Sequence, residues 1–343
     1  MNRATASLLQ LALVAAPLSA AETAAPPVKV VFDTDMAGDI DDVGALAVLH
    51  ALADRGEAEI LATTVSSRNR YAPACLDAIN TWYGRGHLPI GVVKEQTAGY
   101  PKDIPGEVTS KYTEEIAKKF PHDLRSAKDA PDATKVLRRA LAGQPDQSVV
   151  VVTVGFLTNL KNLLDSSGAG DNPMTGEELV RRKVKLWVCM GGKFPDGLWP
   201  DGGSEYNIGY DTYASVRVVG DWPTPAVFSG FEIGANLKTG ARLRQLPQDS
   251  PVREAYRRFN GLEDRESWDQ SAVLYAVRGA RDYWHESEPG LVLVHARSGS
   301  QAYNQWLPHP GARHRYLLES MPPPALSQVI EDLMLQPPRL PAR

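Results

Sequence analysis

Val28-Lys29-Val30-Val31-Phe32-Asp33-Thr34-Asp35-Met36-Ala37-Gly38-Asp39-Ile40-Asp41-Asp42 is the stretch that decides the fold. Its opening residues are apolar apart from Lys29 and read as a short buried strand. A glycine-containing loop follows, and Asp41-Asp42 opens the apolar run Val43-Gly44-Ala45-Leu46-Ala47-Val48-Leu49. Acids ahead of such a run mark a helix start, where the helix end favours negative charge. Strand, loop and helix in that order begin a parallel βαβ unit. Five carboxylates fall within the ten residues 33–42. Left unneutralised they would repel one another, and a helix N-terminus offsets only about half a charge. A bound hard cation, which takes carboxylate and carbonyl oxygens, resolves the crowding. The plainer alternative is an acidic capping loop in water. The strand before it argues instead for a loop at a sheet end.

The alternation continues along the chain. Strands are expected at 59–65, 88–93, 148–153, 184–190 and 226–228, and helices at 72–83, 134–141, 157–164 and 213–219. Residues 94–132 are polar and Pro-punctuated, a long loop or lid with a short helix near 112–119. From Glu254 the pattern turns helical, most clearly over 268–277. Residues 291–294 and 314–318 suggest an antiparallel hairpin, and 326–334 a last helix. Strands alternating with helices indicate the α/β class, a doubly wound, mainly parallel sheet with flanking helices and a Rossmann-like core. No composition shift marks a boundary, so 28–336 reads as one domain. Ligands of such sheets bind beyond the carboxyl ends of the strands. Residues 33–42, 154–159 and 191–207 all follow strand ends, and a site is expected where they converge.

The 343 residues carry a formal charge of −4. That balance excludes a nucleic-acid-coating surface, which needs a basic excess. Near the N-terminus Arg3 precedes the apolar stretch Leu8-Leu9-Gln10-Leu11-Ala12-Leu13-Val14-Ala15-Ala16, closed by the small residues Ser19, Ala20 and Ala21. This is the pattern of a secretory signal peptide over residues 1–21, too short for a stable bilayer anchor. The expectation is a periplasmic or secreted protein with no membrane anchor in its mature form. Cys75 and Cys189 both sit among apolar residues and read as small buried hydrophobes. A homo-oligomer is compatible with the sequence, which does not specify one.

Later segments carry more chemistry: Val154-Gly155-Phe156-Leu157-Thr158-Asn159-Leu160, Met190-Gly191-Gly192, Glu205-Tyr206-Asn207 and Ser267-Trp268-Asp269-Gln270. Taken singly, each has a bland account as a turn, a cap, loop polar groups or a helix N-terminal acid. Their joint order, each at a strand or helix end, says more. With the Asp-rich opening they resemble the inosine-uridine preferring nucleoside hydrolase family over about residues 28–277. The resemblance implies hydrolysis of the N-glycosidic bond of ribonucleosides or related ribosides, with a small-molecule nucleoside as partner and Ca²⁺ as cofactor. It further implies that Asp35, Asp42, Asp269 and the backbone carbonyl of Val154 bind the Ca²⁺, and that Asp41 is the base that activates water. The acidic loop is two residues longer than the commonest family form, and its extra acid, Asp39, could share the base role. Glu205 and Asn207, together with Asn159 and, at looser spacing, Asn69, correspond to substrate-binding positions. Several family members have a His just before the late Asp, placed to protonate the departing base. This chain has Trp268 there, which either stacks on the base or packs in the core.

Such a site makes chemical sense. Cleavage of a ribosyl C–N bond passes through an oxocarbenium-like state, which nearby carboxylates stabilise. A cation can hold sugar hydroxyls and acidify water. Two rival readings remain. One is a haloacid-dehalogenase-like phosphohydrolase, because Val-Val-Phe-Asp-Thr-Asp also resembles its nucleophile strand, with Asp33 attacking phosphate. It has no use for the crowded acids at 39, 41 and 42 or for the later motifs. The other is a secreted nucleoside- or sugar-binding protein that keeps the calcium site without turnover. The missing His motivates it, and the intact Asp41 argues against it.

Overall fold

The computed structural model describes residues 25–94, 109–168, 173–298 and 301–339. The expected leader at 1–21 and segment 95–108 of the expected lid lie outside the described residues. The chain begins with β1 (Val28–Thr34), α1 (Asp41–Asp54), β2 (Ala58–Val65), α2 (Ala72–Trp82), β3 (Ile90–Val92), α3 (Thr113–Lys119) and α4 (Ala133–Ala142). It continues with β4 (Val149–Thr153), α5 (Thr158–Leu164), α6 (Gly176–Lys183), β5 (Val184–Met190), α7 (Tyr206–Tyr210), α8 (Thr212–Asp221), β6 (Ala226–Ser229) and α9 (Phe231–Ala235). The last part holds β7 (Lys238–Thr239), α10 (Pro251–Asn260), β8 (Arg265–Glu266), α11 (Trp268–Arg278), β9 (Trp284–Glu286), β10 (Gly290–Ser298), β11 (Gln301–Pro308), β12 (His314–Glu319) and α12 (Pro323–Met334).

Ten strands form the main sheet, in the order β11-β10-β12-β6-β5-β4-β1-β2-β3, with β9 beside β12. From β3 to β12 along that order every pairing is parallel. The expected mainly parallel α/β sheet is present. Its central strands are apolar because both faces are covered. β4 is buried from end to end, and its residues alternate between faces: Val150 and Val152 join the core packed under α1, Val149 and Val151 the core around Trp187 and Trp222. α1 is buried from Asp41 to Leu52, which its lack of a polar face foretells. Among the described residues no helix is long and apolar enough to cross a membrane. Cys75 and Cys189 are free and buried.

The carboxyl-terminal strands differ from expectation. β10 pairs along its length with β11 and meets β12 only through Gly290 and His314, while β12 runs parallel to β6. The reason is local. The polar and aromatic run Gln301–Pro308, close to β10 in sequence, supplies the adjacent antiparallel partner.

Strand order also locates the crevice. β1 connects forward to β2 on one side, yet its other neighbour is β4. The winding reverses between β1 and β4, and a doubly wound sheet opens for ligands at such a point.

Candidate active site

The cavity at this reversal has a volume of about 470 Å³. Its floor comes from the loop after β1, where Asp35, Asp39, Asp41 and Asp42 line it. Val154 and Phe156 reach it from the turn after β4, Met190 from the end of β5, and Glu205, Tyr206 and Asn207 from the start of α7. Trp268 and Asp269 open α11 and close the ring. Strand ends widely separated in sequence thus supply one wall each.

The acids do separate work. Carboxylate oxygens of Asp41, Asp42 and Asp269 all lie within 4.8 Å of one another, and all three residues are buried. The Asp269 backbone N–H donates to Asp41 Oδ2 at 3.3 Å, and the Thr34 hydroxyl donates to Asp42 Oδ1. The N-termini of α1 and α11 therefore face one cluster, where their dipoles favour negative charge. That is not enough. Burial, followed by the neighbouring carboxyls, pushes Asp41, Asp42 and Asp269 well above the ordinary carboxylate range. Three such acids cannot all ionise side by side without a counter-charge. Three carboxylates and the nearby strand-end Val154, with no nitrogen or sulfur donor among them, make a donor set that fits a hard divalent cation.

Asp35 stands beside the triad. Burial raises its carboxyl to about 8, with Glu205 the neighbouring charge that weighs most on it. Gly155 fixes its place: a Cβ there would lie 2.4 Å from Asp35 N and 2.6 Å from its Cβ. Only glycine lets the β4 turn pass so close to the acidic loop. Asp39 is committed elsewhere. Arg265 grips it with Nε on Oδ1 at 3.0 Å and Nη2 on Oδ2 at 2.5 Å, and its Oδ1 also accepts from the Ile40 N–H.

The amides and Glu205 hold the frame. Glu205 caps α7, accepting from Asn207 N at 2.7 Å and Ile208 N at 3.0 Å, and also takes Gly192 N at 2.8 Å. Asn207 donates to the Met190 carbonyl at 3.2 Å and keeps its place on the cavity wall. Asn159 lies beneath the cavity, its amide donating to Asp33 Oδ2 at 2.7 Å. Asn69 also lies outside the lining, its Oδ1 accepting from Tyr71 N at 2.9 Å and the Thr113 hydroxyl at 3.1 Å. Asp33 is fully buried under the floor, with Thr64 as a second donor at 2.5 Å.

A group of rings shares the lining with the acids, and of these the sequence singled out only Trp268. Trp268 lies 5.3 Å from Phe231, which meets Trp199 edge-on at 5.2 Å. The Trp268 indole N–H donates to the Phe231 carbonyl at 2.9 Å, and Arg265 sits over the indole at 5.1 Å. A Cβ on Gly234 would strike Trp268 Cα at 2.3 Å, so α9 and α11 meet where no side chain fits. On the other flank Phe156 packs 5.4 Å from Tyr206. Trp199, Phe231 and Arg265 escaped the sequence reading because each sits in a loop or short element without periodicity. A Gly-Gly strand end followed by a Trp-containing loop was the one available signal.

A family model described as inosine-uridine preferring nucleoside hydrolase matches residues 30–306. Solved structures of the same fold include a plant nucleoside hydrolase, 17% identical with a TM-score of 0.65 over 91% of this chain and 100% of that one. A purine-preferring ribonucleoside hydrolase from Gardnerella vaginalis is 15% identical, with a TM-score of 0.65 over 89% and 98% of the two chains. The type III effector protein XopQ, complexed with adenosine diphosphate ribose, is 16% identical, with a TM-score of 0.60 over 90% and 92%. At these identities the likeness is one of fold. Among curated proteins none matches the sequence.

Proposed function

The chain belongs to the inosine-uridine preferring nucleoside hydrolase family, and from that premise we propose that it is an exported, calcium-dependent hydrolase of ribonucleosides or related ribosides. The observation that carries the reading is the buried triad Asp41, Asp42 and Asp269 in a cavity that Trp199, Phe231 and Trp268 also line. In this reading the triad and the Val154 carbonyl hold Ca²⁺. Bound there, the cation supplies a clamp for sugar hydroxyls and acidifies water. Glu205 and Asn207 face the sugar, and the Trp199, Phe231 and Trp268 rings face the leaving group.

The base role goes to Asp35 in this proposal. The family resemblance gives Asp35 to the cation and the base role to Asp41, but Asp41 is the one whose oxygens cluster with Asp42 and Asp269. Asp35 lines the cavity beside them, and no side chain among the described residues donates to it. In this reading it takes the proton of the attacking water. Asp39, held in its Arg265 pair, serves the loop's architecture. Asp33, buried and bonded to Thr64 and Asn159, has no access to a phosphate, which counts against the phosphohydrolase reading.

Hydrolysis of p-nitrophenyl β-D-riboside, with and without a chelator, is the decisive assay. Turnover that disappears on chelation and returns with Ca²⁺ is the expected result. Hydrolysis that resists chelation would remove the cation from the reaction, and binding without hydrolysis would leave a nucleoside-binding protein. Export rests on residues 1–21 alone. Mass spectrometry of the native protein is expected to find a mature N-terminus near Ala20 or Ala21, and an intact leader on most molecules would overturn it.

A further inference from the structure

Trp199 reaches the cavity from the middle of the excursion between β5 and α7. That excursion closes on itself. Leu198 and Ser204 form an antiparallel bridge, the Trp199 N–H donates to the Gly203 carbonyl at 2.9 Å, and the Gly202 N–H donates to the Trp199 carbonyl at 2.9 Å. Closure of this kind fixes the loop's shape and leaves its direction to be set at the stem.

The stem is held residue by residue. The Gly192 N–H donates to Glu205 Oε2 at 2.8 Å, and the Gly192 carbonyl accepts from Phe231 N at 2.8 Å. The Phe194 N–H donates to Glu232 Oε2 at 3.1 Å. Between them, the Lys193 N–H donates to Asn304 Oδ1 at 2.9 Å and the Lys193 carbonyl accepts from Asn304 Nδ2 at 2.8 Å. Glu205 and Phe231 line the cavity, whereas Asn304 comes from β11, outside the lining. Asn304 is only 1% exposed, and both ends of its amide are spent on one residue of the stem.

The β10–β11 hairpin supports the excursion on both sides of Trp199. β11 ends the sheet, and Asp196 bridges antiparallel to Gln305 on it. Gly197 approaches so closely that a Cβ there would lie 1.8 Å from the Asn304 carbonyl oxygen, a contact that only glycine permits. Past the ring, Arg297 Nη1 of β10 donates to the Gly202 carbonyl at 2.9 Å.

We infer that Asn304 is a positioning residue: by clipping Lys193 to the hairpin it sets where the Trp199 ring stands, and through that ring how tightly the riboside binds. The substrate half of the inference rests on the riboside-hydrolase reading above, which it deepens. Loss of the amide deprives the Lys193 N–H and carbonyl of their partner and loosens the stem. Asp35, Asp41, Asp42 and Asp269 come from other elements, so the effect falls on substrate binding rather than on calcium or proton transfer.

On the full, calcium-loaded chain, Asn304→Ala is expected to raise KM for p-nitrophenyl β-D-riboside at least about fivefold, with kcat and calcium affinity changed less than about threefold. In a Trp199→Ala background the same substitution should alter KM less than about twofold, because residues acting through one another are not additive. Hydrogen exchange read by mass spectrometry is independent of turnover. Amides of residues 193–204 should exchange at least about tenfold faster in Asn304→Ala, with those of β1 and α11 unchanged. Arg297→Ala removes one bond at an exposed residue and serves if Asn304→Ala folds poorly; it should speed exchange over 199–204 and raise KM about twofold. Unchanged exchange over 193–204 in Asn304→Ala, or over 199–204 in Arg297→Ala, would overturn the inference. So would an equal rise in KM with and without Trp199, which would make Asn304 a general support of the fold. Faster exchange in a chain that hydrolyses no riboside would uphold the clip and sink the hydrolase reading instead.

Discussion

Asp35→Asn is expected to lower kcat on p-nitrophenyl β-D-riboside by at least ~10²-fold, the usual loss when a positioned base is removed, while calcium affinity stays within about threefold. The amide keeps the shape of the carboxyl and can still lie against Gly155, so the acidic loop has no reason to move. What it loses is the ability to accept a proton from water. Asp41→Asn should behave differently. Its carboxylate belongs to the triad within 4.8 Å of Asp42 and Asp269, so its loss weakens calcium first and turnover as a consequence. Calcium titration by calorimetry alongside steady-state kinetics separates the two. A variant Asp41→Asn that binds calcium normally and has lost turnover, beside an active Asp35→Asn, would return the base role to Asp41. The same pair of measurements on Asp39→Asn should show neither loss on that scale, since Arg265 already neutralises this acid.

The second large effect concerns Asp269→Asn. Calcium affinity should fall at least ~10²-fold, because ligand charge sets affinity in hard-cation sites and Asp269 is the member contributed from the far end of the chain. Stability should follow in an unusual way. A cation that binds only the folded chain stabilises it by about 2.7 kcal/mol at a concentration ~100 times Kd, so the native protein should melt higher with calcium. Asp269→Asn should lose that calcium-dependent rise. Without calcium, however, the variant should be at least as stable as the parent, because one of four mutually repelling buried acids is gone. Differential scanning calorimetry with and without chelator reads both arms. A variant that keeps the full calcium-induced rise in Tm would show that Asp269 is not a ligand.

Much of this architecture was legible in the chain. The valine run of β4 and the apolar stretch before Asp33 announce buried parallel strands because both faces of such strands must be covered. The crowding of acids at 33–42 announces a site because it is costly anywhere that water is excluded. What spacing along the chain does not contain is which oxygens converge. Asp41 and Asp269 stand 228 positions apart, and whether Asp35 or Asp41 joins Asp269 depends on how α1 and α11 dock. Arg265 was illegible for a related reason. In the charged stretch Glu263-Asp264-Arg265-Glu266 it reads as a solvated residue, and only the fold carries it to Asp39 and Trp268. β11 escaped because its polar and aromatic residues lack the alternation of a half-buried strand.

The close approach at Gly155 means that the pocket can be remodelled from one side only. Any side chain added there lands on the backbone and Cβ of Asp35, so enlarging or narrowing the cavity from the β4 turn would cost the reaction itself. Trp199 and Phe231 carry no such burden. They come from a loop and a five-residue helix; Trp199 packs on Phe231, and Phe231 on Trp268. On the proposed reading, a library aimed at new leaving groups should randomise the rings and hold Gly155 constant.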